Sequence, residues 1–150
     1  MKPKFSGAEV IQLAISIEEE GVKFYEKYAQ LADVELREIL LSMAEDERQH
    51  VIVFKDMYHQ LEITEDEEAY LFSDTVQEFF ASYAKNEGFN REHAPIDSVR
   101  DALKLAVETE RTTVIYYQSL LEYASKDVQV ILNRLIDEEM RHQKRLEELL

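Results

Sequence analysis

The chain has no cysteine. That excludes disulfides, thiol chemistry, zinc fingers and cysteine-ligated iron or iron–sulfur sites. Glycine and proline are scarce, three and two in 150 residues. Few tight turns are therefore available, and with 45% apolar residues an all-helical fold is favoured. Positive charge is also short: 17 Lys and Arg stand against 32 Asp and Glu, a net charge of −15. Such a surface does not suit nucleic acid, whose affinity comes largely from cations on phosphate, nor an anionic membrane. No apolar run is long enough to span a bilayer. Met1-Lys-Pro-Lys-Phe5 is not followed by the apolar core of a signal peptide. The expected location is the cytoplasm, and the length suits a single domain over 1–150.

What is present is a repeat. Glu139-Met-Arg-His142 stands 92 residues after Glu47-Arg-Gln-His50. Residues three apart share a helix face, so each Glu and His pair can reach one ion from a single helix. The same offset aligns Leu13 with Leu105, Ala14 with Ala106, Glu18 with Glu110, Tyr25 with Tyr117, Ile39 with Ile131 and Leu40 with Leu132. No gap is needed between Glu18 and His50. The chain reads as one helical hairpin written twice.

Four long helices are predicted, over about 7–32, 34–61, 99–124 and 126–150. Ser6-Gly-Ala-Glu9 is a capping box that opens the first. Ile11, Glu18, Tyr25 and Ala32 recur every seven residues, interleaved with Gly7, Ala14, Gly21 and Tyr28, as in the inward seam of a bundle. Gly21 is costly in a helix interior and is read as making room beside Glu18. Asp33 caps the second helix, with the seam Leu36, Leu40, Met43, Glu47, His50, Phe54, Met57, Leu61. Asp97 or Ser98 caps the third, with Val99, Leu103, Ala106, Glu110, Thr113, Tyr117, Leu120, Ala124. Ser125 opens the fourth, with Val128, Leu132, Leu135, Glu139, His142, Leu146, Leu149.

The crossover, about 62–96, holds a capping box at Thr64–Glu67 and short helices at 69–72 and 76–83. Asn86-Glu-Gly88 ends the second of these and Pro95 blocks its continuation. The connection is long enough to return along the bundle, leaving the second and third helices parallel. It is also long enough to carry the second hairpin to a neighbour, giving a domain-swapped homodimer.

Turn positions bring the polar seam residues to one level. Glu18 lies 15 residues before Asp33, and Glu47 and His50 lie 14 and 17 after it. Glu110, Glu139 and His142 stand in the same relation to Ser125. Helices of this length are about 40 Å long, so the cluster falls near mid-bundle. Four unpaired carboxylates there are prohibitive, since even one buried ion costs several kcal/mol. No Lys or Arg lies in any seam. Two divalent ions balance the four charges. The pattern matches di-iron and di-manganese bundles, with one Glu from each of two helices and Glu-x-x-His from each of the other two. The donor set suits iron or manganese, with zinc also possible.

With these residues the chain resembles the ferritin-like superfamily, specifically its rubrerythrin-like di-iron proteins. The resemblance implies a four-helix bundle whose metal ligands are Glu18, Glu47, His50, Glu110, Glu139 and His142. Tyr25 and Tyr117 are implied as hydrogen-bond partners of those ligands. It further implies an oxidoreductase that reacts with hydrogen peroxide or oxygen, as a peroxidase or ferroxidase. Iron storage, or a structural bundle around a redox-silent metal, is the alternative. Two departures stand out. Rubrerythrins carry a rubredoxin domain with four cysteines, and this sequence has none, so electrons must come from a separate rubredoxin-like carrier or from ferrous iron. Rubrerythrins also carry an extra Glu one turn after the third helix's ligand, where this chain has Thr113. His59 and His93 are expected at the surface, as are Glu19 and Glu20. Glu45, Asp46, Asp137 and Glu138 are expected as surface or outer-shell groups, and Met43 and Met57 as core.

Overall fold

A computed structural model describes residues 6–84, 98–122 and 124–150. Expectations for residues 86–88, His93, Pro95 and Asp97, and for the side chain of Val99, lie outside them. The helices are α1 Gly7–Leu31, α2 Val34–His59, α3 Glu65–Leu71, α4 Asp74–Tyr83, α5 Val99–Leu121 and α6 Lys126–Glu148. There is no strand among the described residues.

Each long helix starts at a side chain that accepts an orphan backbone N–H. Ser6 and Glu9 form the full capping box, both bonds at 3.1 Å. Asp33 accepts from Leu36 N at 2.9 Å, Ser98 from Asp101 N at 3.1 Å and Ser125 from Val128 N at 3.5 Å. The long helices stop one to three residues short of the predicted ends. The chain there closes by i to i−3 bonds, from Ala32 to Ala29, Leu61 to Tyr58, Ala124 to Leu121 and Leu150 to Glu147, the tightening usual at a last turn. Leu149, placed in the seam by its spacing, is accordingly 45% exposed. Asp33→Ala and Ser125→Ala should each lower stability by about 1 kcal/mol in thermal unfolding. Unchanged melting in both would mean that the hairpin turns do not depend on their caps.

The turns also share a clasp. Arg37 donates to the carbonyls of Ala29 and Ala32, both at 3.2 Å. Gln129 donates to those of Leu121 and Ala124 at 3.2 Å. All three members of the second set lie 92 residues after those of the first. Arg and Gln are unlike as residue types but alike as long N–H donors to a helix C-terminus.

α1 packs along α2 and α5 along α6, with α4 laid against α1. Gly7, at the start of α1, lies beside Val128, near the start of α6: a Cβ on Gly7 would stand 3.0 Å from Val128 Cγ2. α1 and α6 therefore run parallel, and so do α2 and α5, as a long return crossover requires. α1 buries more than its seam, including Val10, Leu13, Ile15 and Ile17. α4 covers that additional face, and the crossover helices bury Leu71 and Phe80 themselves.

Candidate metal centre

The repeat brings its six polar seam residues together at mid-bundle. Glu18 and Glu139 are wholly buried, Glu47 and Glu110 nearly so, and His50 and His142 keep only their outer edges exposed. They form two overlapping donor groups. Glu18, Glu47, His50 and Glu139 make one; Glu110, Glu139, His142 and Glu47 make the other. Within each group the facing atoms lie within 4.8 Å of one another. A shift of 92, forward for Glu18, Glu47 and His50 and back for Glu139, exchanges the first group for the second. Glu47 and Glu139 belong to both, whereas Glu18 and Glu110 each belong to one. The seam pattern does not predict that division.

The two imidazoles stack at 5.4 Å, 14° from parallel, with both Nδ1 atoms turned inward. His50 Nδ1 is 3.0 Å from Glu139 Oε1 and 3.5 Å from Glu18 Oε2. His142 Nδ1 is 3.4 Å from Glu139 Oε2 and 3.6 Å from Glu47 Oε1. These approaches lack hydrogen-bond geometry. Glu18 Oε2, both Glu139 oxygens and both Nδ1 atoms have no hydrogen-bond partner among the described residues. Buried polar atoms left so cost free energy. Five such atoms converging from four residues, hard oxygens with imidazole nitrogens, fit a pair of divalent cations.

Charge accounts for the protonation of the metal-free cluster. Burial works to lower the pKa of His50 and of His142, but the carboxylates of Glu139 and Glu47 outweigh it and raise both to about 10. Burial pushes Glu110 well up, helped by the negative charge of Glu139 and Glu47. Burial acts upward on Glu139 too, yet the Glu110 carboxyl and the His142 and His50 imidazoles that face it hold it well below the usual carboxylate range.

The tyrosines act across the repeat. Tyr117 donates to Glu18 Oε1 at 2.7 Å, and Tyr25 donates to Glu110 Oε1. Each hydroxyl thus holds the Glu of the opposite hairpin. Tyr117 takes one oxygen of Glu18 and leaves Oε2 facing the cluster. Gly21 proves to border Glu47 rather than Glu18: a Cβ there would meet Glu47 Cγ and Oε2 at 3.4 Å.

The histidines' outer nitrogens have partners of their own. His50 Nε2 lies 3.0 Å from Glu138 Oε2, and His142 Nε2 lies 3.4 Å from Asp46 Oδ2. Each acid precedes a cluster Glu on the opposite hairpin, and the two are again 92 apart. Both are half-buried, while Glu45 and Asp137 are exposed. Asp46 and Glu138 therefore fix which nitrogen faces inward. Asp46→Asn and Glu138→Gln should each weaken metal binding about 10- to 100-fold with the fold intact. Unaltered affinity in titration calorimetry would remove them from the site. A hollow of about 360 Å³, lined by these acids, both histidines, Gln49, Val53 and Arg141, opens over the stacked rings.

His59 and Glu19 are exposed, Glu20 is half-buried in a 3.4 Å ion pair with Lys23, Met43 is buried and Met57 partly so. No helix among the described residues is long and apolar enough to cross a membrane.

A family model described as rubrerythrin matches residues 9–150. The chain belongs to the rubrerythrin family. A crystal structure from Thermotoga maritima, of a protein provisionally assigned as a ferritin-like diiron-carboxylate protein, shares the fold. Its TM-score is 0.62 at 24% identity, covering 99% of this chain and 97% of that one. A search of curated proteins finds no match. As a rubrerythrin the chain departs at Thr113. That residue is buried and its hydroxyl donates to Thr109 O at 3.0 Å, so the helix's own backbone uses it and no further carboxylate enters from α5.

Proposed function

We propose that Glu18, Glu47, His50, Glu110, Glu139 and His142 hold two iron ions, and that the protein is an oxidoreductase reducing hydrogen peroxide. The observation that carries this reading is the pair of four-residue donor groups sharing Glu47 and Glu139. Two adjacent ferrous ions supply two electrons, the number that converts a peroxide and two protons to two waters.

The chain's own part is positional and electrostatic. Glu47 and Glu139 belong to both donor groups and would be shared by the two ions. Glu18 with His50, and Glu110 with His142, complete the two ends. Tyr117 and Tyr25 hold the terminal carboxylates through one oxygen each. Asp46 and Glu138 keep the imidazoles in one orientation. Burial excludes bulk water and strengthens every charge interaction in the cluster. The hollow over the histidines is the path by which a molecule as small as peroxide approaches. These 150 residues hold no cysteine to ligate a rubredoxin-type iron, so the electrons that restore the ferrous state come from outside them.

The test is anaerobic ferrous loading followed by peroxide. The reading predicts one peroxide consumed for each pair of irons, with a ferric absorption rising in step. A loaded protein that leaves peroxide untouched would overturn it and favour a redox-silent metal.

A further inference from the structure

Beside the two cluster tyrosines the repeat differs, Phe24 standing where the second copy has Tyr116, and the difference has a direction. In the second hairpin Tyr117, bonded to Glu18, is followed by a run of tyrosines. Its ring lies 6.2 Å from that of Tyr116, and Tyr116 lies 5.4 Å from Tyr83 on α4. Exposure rises along the run: Tyr117 is 0% exposed, Tyr116 7% and Tyr83 37%. In the first hairpin the matching neighbour of Tyr25 is Phe24, 5.3 Å away, and the next ring is Tyr28, itself only 5% exposed. Phenylalanine has no phenolic O–H and is far harder to oxidise than tyrosine. The first copy is therefore blocked at its first step, while the second leads from the cluster to solvent.

We propose that Tyr117, Tyr116 and Tyr83 form a relay that carries an oxidising equivalent from the buried centre to the surface. The inference rests on the redox reading above. Peroxide requires two electrons and two protons. Were bound iron able to give only one electron, Tyr117 would give the second; water would supply both protons of the reduction, and the phenolic proton of Tyr117 would pass to Glu18 Oε1 along the 2.7 Å bond. An electron then moves from Tyr83 through Tyr116 to Tyr117, and Glu18 returns the proton. Tyr83 releases its own proton to water and holds the radical where a soluble one-electron reductant of the enediol class, such as ascorbate, refills it. The relay spares the ligands from oxidation when peroxide meets an incompletely reduced centre.

The experiment uses full-length protein loaded with less ferrous iron than the site holds. It is mixed with peroxide, freeze-quenched for electron paramagnetic resonance, and digested for mass spectrometry of oxidised tyrosines. The relay predicts a tyrosyl radical and oxidation at Tyr83 in the wild type. Tyr116→Phe should keep a radical but lose oxidation at Tyr83, with metal content unchanged. Tyr83→Phe, a change at an exposed ring, should prolong the radical and make it insensitive to ascorbate. Oxidation of Tyr83 undiminished in Tyr116→Phe, or no radical in wild-type protein whose iron spectrum does respond to peroxide, would overturn the relay alone. An iron spectrum that does not respond at all overturns the redox reading and the relay with it.

Discussion

Glu139→Ala protein is expected to bind little metal at either position, whereas Glu18→Ala loses chiefly one ion of the two. Glu139 contributes to both donor groups and Glu18 to one. Removing Glu139 also strips His50 and His142 of the carboxylate nearest each Nδ1. The loss of affinity should exceed the roughly 100-fold upper figure for an outer-shell partner, and peroxide reactivity should fall with it. Glu20→Ala is the control, since its carboxylate pairs with Lys23 on the outer face and metal content should not change. Metal analysis of the three variants separates the cases. Full occupancy in Glu139→Ala would remove the shared-ligand assignment.

Removing the metal should cost stability, and the cost should grow with pH. In the metal-free cluster His50 and His142 are raised from 6.5 to about 10. A raised folded-state pKa contributes stability that is whole below pH 6.5 and is lost as pH rises through 10. Glu110, raised by burial, acts in the same sense from a lower starting pH. Glu139, held low, acts in the opposite sense, and its contribution is lost only as pH falls below the ordinary carboxylate value of 4.5. Metal binding must displace the histidine protons, so affinity rises over the range in which the metal-free protein weakens. At a thousandfold excess over Kd the ions add about 4 kcal/mol, or roughly 10 °C in a chain of this size. Melting curves with and without chelator, from pH 6.5 to 9, should diverge steadily. Curves that coincide at every pH would mean that no ion is held by these groups.

The six cluster residues were legible because burial makes their residue type improbable. A Glu or His in an apolar seam needs a reason, and the 92-residue offset supplied the same reason twice. Turn-to-residue distances then placed all six at one height without reference to side-chain detail. Asp46 and Glu138 were harder to see, since 32 acidic residues make any one of them unremarkable by type. Their signal was the same offset, applied to residues off the seam. Arg37 and Gln129 escaped because the repeat conserves the donor and not the residue. The broad burial of α1 was not legible from its heptads, because α4 covers the second face and the crossover carries no repeat. Spacing along α1 points Gly21 to Glu18, one turn away, although the space it leaves borders Glu47 across the hairpin. Sequence spacing captures contacts within a helix more readily than contacts between helices.

The most direct test of the account is metal content per chain, by plasma mass spectrometry. The protein should be purified without chelator or histidine tag and measured again after anaerobic ferrous loading. The duplicated donor groups predict about two ions per chain. No metal under either condition would contradict them, and the converging carboxylates and imidazoles would then be held by shared protons alone.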